Sequence, residues 1–170
     1  MPRHEIELNP VDFITIGTIG PKGQRTFHLQ GGLDNQLVSL VIEKEQAWAL
    51  SEAIREMLED LDKRHPDPES PAEANLEGID MDLREPIEPM FRVAEMGLGY
   101  DEDRNMVVLV AQEMRPRGEE VDPLEEEDPS VVRMWCSRHQ MRLLSAQALE
   151  IVKSGRADPK QNGRLTYYWT

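Results

Sequence analysis

Cys136 is the only cysteine of the 170-residue chain, and His139 stands three residues after it. A thiol beside a helix start has a lowered pKa, and a nearby imidazole can take its proton, which is the pairing a nucleophilic site needs. No third, orienting residue is evident, and a cysteine that closes an apolar strand is usually a small core side chain. The core reading is preferred. Gly17-x-x-Gly20-x-x-Gly23 has glycines at a spacing that suggests a phosphate loop. Such a loop needs a strand before it and a helix after it. Here a strand pattern follows, so a hairpin turn is expected. Asp101-Glu102-Asp103 opens like a calcium loop but lacks the glycine and the terminal bidentate glutamate, and reads as a turn. The run from Glu125 to Asp128 reads as a solvated acidic loop. No catalytic residue, metal ligand or cofactor is expected.

The remaining group is more suggestive. Arg25, Phe27 and His28 lie on one strand pattern, and Phe91 with Arg92 on another. If the chain is built of two similar halves, Arg25 and Arg92 are near-equivalent cations. Two readings stand side by side. One is a clamp for a carboxylate or other anion of a ligand or partner. The other, preferred, is internal pairing with Glu43, Glu95 or another acid. Trp169, in the aromatic stretch Leu165-Thr-Tyr-Tyr-Trp-Thr170, is a candidate interface anchor, and Trp48 reads as core or the edge of a buried stripe.

The elements that position these residues can be read from periodicity. Glu5–Leu8 alternates and Asn9-Pro10 stops it. Phe13–Ile19, the turn Gly20–Gly23 and Gln24–Gln30 form a hairpin, and Gly31–Asn35 reads as a second turn. Leu37–Ile42 is a strand leading into a helix with apolar residues at Ala47, Leu50, Ile54, Met57, Leu58 and Leu61. The helix ends at the cationic Lys63-Arg64-His65. Residues 66–89 hold five prolines and many acids and read as a linker, with a short helical turn near Pro71–Asn75. Ile79, Met81 and Leu83 are suited to pin its end to the core.

The second half repeats the order. Met90–Leu98 and Asn105–Glu113 are strands around a turn. Residues 116–129 are an acidic insertion. Val131–Cys136 is a strand, and a helix follows to about Ser154, begun by a Ser137-x-x-Gln140 capping box. Gln46–Ser51 aligns with Gln140–Ser145. The expected fold is α+β in a single domain: two units of strand, strand, strand, helix, with an antiparallel sheet and the helices on one face. Residues 157–170 form a tail.

Composition limits the partners. The net charge is −14. A duplex binder gains most of its affinity by neutralising phosphates with cations, so nucleic acid is disfavoured and a basic partner favoured. One cysteine permits no internal disulfide and fits a reducing cytoplasm. No export signal and no membrane span are visible.

The residues also carry a resemblance. Phe13-x-x-x-Gly17-Thr18-Ile19-Gly20-x-x-Gly23-x-Arg25-x-Phe27-x-Leu29-Gln30 is its first marker and Glu43-Lys44-x-Gln46 its second. Phe91-Arg92-Val93 with Leu98-Gly99-Tyr100-Asp101 is the third, and Gln140 with Ser154-Gly155-Arg156 the fourth. The pattern resembles a bacterial family known only as a domain of unknown function, number three thousand and ninety. The resemblance implies no activity. It implies a Cys-x-x-Cys and a later His-x-Cys after the Gly-Arg, a small zinc knuckle. Ala157–Gly163 contains no cysteine, so that metal role does not carry over.

Three functions follow as expectations. The first is a cytosolic, non-enzymatic interaction or regulatory protein with a basic protein partner. The second, by the layout of the Pur and Whirly folds alone, is single-stranded nucleic-acid binding through Arg25, Phe27, Phe91 and Arg92. The third is an enzyme with His28 or His139 beside a carboxylate in a pocket. Self-association is open.

Overall fold

In the computed structural model, which describes residues 4–21, 23–68, 75–115 and 128–154, the apolar runs become seven strands and two helices. The strands are β1 (Glu5–Leu8), β2 (Phe13–Ile19), β3 (Thr26–Leu33), β4 (Gln36–Ile42), β5 (Pro89–Asp101), β6 (Met106–Glu113) and β7 (Val131–Cys136). The helices are α1 (Lys44–Arg64) and α2 (Arg138–Ser154). After β1 the order strand, strand, strand, helix occurs twice, and the fold class is α+β.

The sheet runs β1-β7-β6-β5-β4-β3-β2. It is mixed, which corrects the expectation of an antiparallel sheet. Hairpins pair β2-β3-β4 and β5-β6-β7 antiparallel, but β4 lies parallel to β5 and β1 parallel to β7. The reason is the connection. α1 and the segment after it carry the chain back to the end where β4 began, and only a crossover of that kind can start a parallel neighbour. The sheet is also strongly curled. β1 and β2 are its two opposite edges, yet only Asn9–Asp12 joins them. That joint donates to both sides, Val11 N–H to Trp135 O (2.9 Å) and Asp12 N–H to Gly32 O (2.7 Å).

Strand alternation sends Leu29, Leu40, Val93, Leu109 and Met134 to the inner face, where both helices pack on them. Leu50, Ile54, Leu58 and Leu61 of α1 are 4 % exposed or less. Burying four such side chains contributes ~6–12 kcal/mol gross. Each helix starts with a capping box. The Glu43 N–H donates to Gln46 Oε1 (2.7 Å) and the Ser137 N–H to Gln140 Oε1 (2.8 Å). The free amide end of each glutamine then reaches a backbone carbonyl of the sheet or its joint, Gln46 Nε2 to Val93 O of β5 (3.0 Å) and Gln140 Nε2 to Val11 O between β1 and β2 (3.2 Å). The helices cross at Ser51 and Ser145, where each hydroxyl donates to the other residue's carbonyl at 2.9 Å.

Two boundaries differ from the sequence pattern. Gly31 and Gly32, expected in a turn, lie inside β3. A Cβ would stand 2.8 Å from Met134 Sδ at Gly31 and 2.3 Å from the Phe13 ring at Gly32, so glycine here provides room for close packing. The turn falls at Asp34, whose φ is 53°. β5 runs past Leu98 to Asp101 because Tyr100 still pairs with Val107.

Residues 79–88, expected as the end of a linker, lie across the outer face of β2-β3-β4 as a strap. Thr15 Oγ1 donates to Met81 O (2.6 Å). Gln30, fully buried, accepts from the Arg84 N–H (2.7 Å) and donates to Arg84 O (2.9 Å) and Ser39 Oγ (3.0 Å). Leu83 occupies the space where Gly17 lacks a side chain, and Arg84 lies 3.6 Å over the Phe13 ring. Met81 and Leu83 thus do the pinning, while Ile79 stays 43 % exposed. The proposed turn near Pro71–Asn75 falls almost entirely outside the described residues, as do most of the acidic insertion and the tail.

Candidate binding cleft

β3, β4 and the start of β5 lie side by side, and α1 begins where β4 ends. The hairpin before β3 adds a wall. Together they enclose an open cleft of about 540 Å³ lined by Arg25, Thr26 and Phe27 on one side and Glu43, Lys44, Glu45 and Arg92 on the other. Three cations and two carboxylates therefore face one depression of an acidic molecule. The register explains the meeting. Phe27 pairs with Ile42, and Arg92 with Val41, so both flanking strands bring their residues level with the end of β4.

The structure unites Arg25, Phe27 and Arg92 and separates the other expected site residues. Arg92 pairs with Glu43, as the internal-pairing reading anticipated. Arg25 Nη1 donates to Ser154 O at 3.3 Å, the carbonyl end of α2, where a cation is favoured by the helix dipole. Phe27 and Phe91 are 6 % and 8 % exposed and belong to the core. His28 points to the opposite face of β3 from Phe27. Its Nε2 lies 3.0 Å from Thr26 Oγ1, and its Nδ1 is buried without a hydrogen bond. Burial holds this imidazole below its ordinary pKa, so it is neutral at pH 7. Trp169 lies outside the described residues. Trp48 is 44 % exposed, at the stripe's outer edge rather than in the core.

Cys136 and His139 do not form a nucleophilic site. Cys136 is fully buried, its Sγ 3.6 Å from Met134 O, and burial pushes its thiol up to about 12. His139 is exposed on the first turn of α2. Gly17 lies in β2, and Gly20 and Gly23 after it have positive φ, with Gln24 N–H donating to Pro21 O (2.9 Å), as expected of a hairpin turn. Among the described residues, no three His, Cys, Asp or Glu side chains are grouped to hold a metal ion.

A second polar cluster was not anticipated. Arg138 and Arg142, 3 % and 7 % exposed, sit at the start of α2 against the end of α1. Arg138 donates to His65 O, to Asn105 Oδ1 (2.9 Å) and to Tyr100 Oη (3.1 Å). Asp62 lies 2.7 Å from Arg142 Nη2 and 3.6 Å from Arg138 Nη1. The cluster fastens both helices to the β5–β6 hairpin. Arginines at helical spacing look like a solvated face, so their partners on distant elements were the missing information. Lys44 and Thr26 of the cleft were also missed. The Glu43-x-x-Gln46 box, which fixes where α1 starts, was the available signal for Lys44.

The fold and cleft define the class: an α+β protein with a curled, mixed sheet, two helices on its inner face and a cation-edged depression at the rim. The chain belongs to the family described as "Protein of unknown function (DUF3090)", whose model matches residues 6–161. No curated protein and no solved structure matches it. No helix among the described residues is long and apolar enough to cross a membrane.

Proposed function

We propose that the chain is a cytosolic, non-enzymatic interaction protein that binds a partner with a basic surface and anchors one anionic group of that partner in the Arg25–Arg92 cleft. The observation that carries this reading is the meeting of Arg25, Lys44 and Arg92 around one depression of about 540 Å³. A net charge of −14 supports long-range attraction of a basic surface. The single, buried cysteine supports a reducing compartment. Single-stranded nucleic-acid binding draws no support from Phe27 and Phe91, whose rings are in the core instead of free to stack bases.

The test is an NMR titration with succinate, and separately with inorganic phosphate, read at the Nε–Hε signals of Arg25 and Arg92. Saturable shifts of both, in the millimolar range expected for exposed ion pairs of roughly 0–1 kcal/mol each, support the cleft. They should weaken with added salt and vanish in Arg92→Ala. Shifts that are absent, or equal in Arg92→Ala, refute it.

A further inference from the structure

We infer that the unpaired edge of β5, with the apolar groove between it and α1, is a docking site for an extended segment of a partner that carries a leucine-sized side chain flanked by lysine or arginine. The inference deepens the interaction reading by locating where a basic partner engages.

The first observation is an open edge. β4 pairs with β5 only through Pro89, Phe91 and Arg92. From Glu95 to Asp101, β5 is paired with β6 alone, so among the described residues its other edge presents backbone groups without a strand partner. An edge of this kind is a template for an added strand, with main-chain bonds giving affinity and pockets reading alternate side chains.

The second observation is the groove beside that edge. It holds about 400 Å³ and is lined by Ala49, Leu50, Ala53, Met96, Leu98 and Leu109, among others. Ala49 and Ala53 are exposed on α1, and Met96 and Leu98 are only partly buried.

The third observation is a filled counterpart in the same molecule. Gln46 holds Val93 O, and Gln140 holds Val11 O, at the start of each helix. Three and seven residues after Gln46 come Ala49 and Ala53, whereas three and seven after Gln140 come Leu143 and Gln147. Leu143 is 8 % exposed, and Gln147 Nε2 donates to Ile16 O (3.3 Å) on β2. At these two places α2 therefore buries a leucine and directs a donor to the backbone of β2, and α1 leaves both to alanine. What fits the gap is what α2 supplies from within: one leucine-sized side chain and N–H donors for β5 carbonyls.

Charge selects the flanks. Glu45, Glu56 and Glu95 are exposed on the elements that form the groove. The neighbouring Glu52 already pairs with Arg55. A second copy of this acidic chain would be repelled, and a segment with lysine or arginine beside its leucine would be attracted.

The experiment uses the full chain and a fluorescein-labelled peptide, Lys-Lys-Thr-Leu-Thr-Val-Lys, followed by anisotropy at low salt. Binding is expected in the micromolar range, with amide shifts along Ala94–Asp101. It should weaken at least about tenfold when the peptide's leucine becomes aspartate or when its alternate amides are N-methylated. The double variant Ala49→Leu/Ala53→Gln, which copies α2, should fold with an unchanged or higher Tm and lose at least about tenfold in affinity. Arg92→Ala should bind the peptide normally. Absence of binding up to about 1 mM, or equal binding by the double variant, overturns the inference. Loss in Arg92→Ala alone overturns it too and moves the peptide to the cleft, leaving the interaction reading intact. A wild-type dimer that the double variant converts to monomer would show a second copy in the groove and overturn the assigned occupant.

Discussion

Gln30→Leu tests whether the strap is held by the side chain that faces it. Gln30 is fully buried and makes three hydrogen bonds, two to the backbone of Arg84 and one to Ser39. At a net ~0.5–1.5 kcal/mol each, their loss costs about 2–4 kcal/mol. Leucine nearly matches glutamine in volume, so no cavity adds to the cost. The cost has a ceiling. If an unpaired Arg84 amide is too unfavourable, residues 81–84 lift into water and only the docking energy of the strap is lost. Urea titration should therefore show a loss of about 2–4 kcal/mol, with Tm lower by roughly 5–15 °C. Hydrogen exchange distinguishes the route. The Arg84 N–H is the one bonded to Gln30 Oε1, and its exchange should speed up by ~30- to ~1,000-fold if the strap lifts. Wild-type exchange at Arg84, together with a stability loss under about 0.5 kcal/mol, would refute the reasoning.

Two further outcomes are expected. Asp62→Asn leaves the buried Arg138 and Arg142 without their shared carboxylate; because the Asp62 side chain is 35 % exposed, solvent reduces the ~3–5 kcal/mol cost of breaking a buried pair to about 2–3 kcal/mol, measurable by urea unfolding, and a loss under about 0.5 kcal/mol would mean the pair acts as a surface one. The lowered pKa of His28 means that below about pH 6.5 the unfolded chain takes up a proton which the folded one does not. Stability from this residue is thus full above pH 6.5 and falls as pH drops toward the folded-state pKa, by at most about 1.4 kcal/mol per pH unit. Comparison of His28→Gln with wild type between pH 7.5 and 5.5 should show a shallower slope in the variant, and parallel slopes would refute the assignment.

What the sequence disclosed and what it withheld divide along range. Strands and helices were legible because alternation and three-to-four spacing are local. β7 and the end of α2 fall where the pattern placed them, and Ser137-x-x-Gln140 marked a helix start that the hydrogen bonds bear out. The parallel junctions were not legible, because nothing within β4 or β5 records which way its neighbour runs. Gly31-Gly32 misled for a related reason. Their cause is the Phe13 ring and Met134 Sδ, far away in sequence. The cleft was half legible. Arg25 and Arg92 stand out in the sequence as cations of two similar segments and do line one depression, but Phe27 and Phe91 near them belong to the core. Phe91 stands next to Arg92 on its strand and so, by the pleat, faces the other way, whereas Phe27 shares its face of β3 with the core residue Leu29.

The ion pairs also decide what the cleft can hold. Arg55 is committed to Glu52 and Glu59, Arg64 to Asp60, Arg133 to Glu5, and Arg138 and Arg142 to Asp62. With 33 acids against 19 lysines and arginines, pairing of this kind leaves the surplus at the surface negative. An incoming anion must therefore compete with Glu43 for Arg92, exchanging one exposed contact for another of similar strength, each worth roughly 0–1 kcal/mol. A free small anion gains little from that exchange. A macromolecular partner is in a different position, because its cations meet uncompensated carboxylates outside the cleft while one anionic group enters it. Under the proposed interaction with a basic partner, the balance between these two terms makes the cleft an anchor within a larger interface, and it requires that binding of a basic protein weaken with salt far more steeply than binding of succinate.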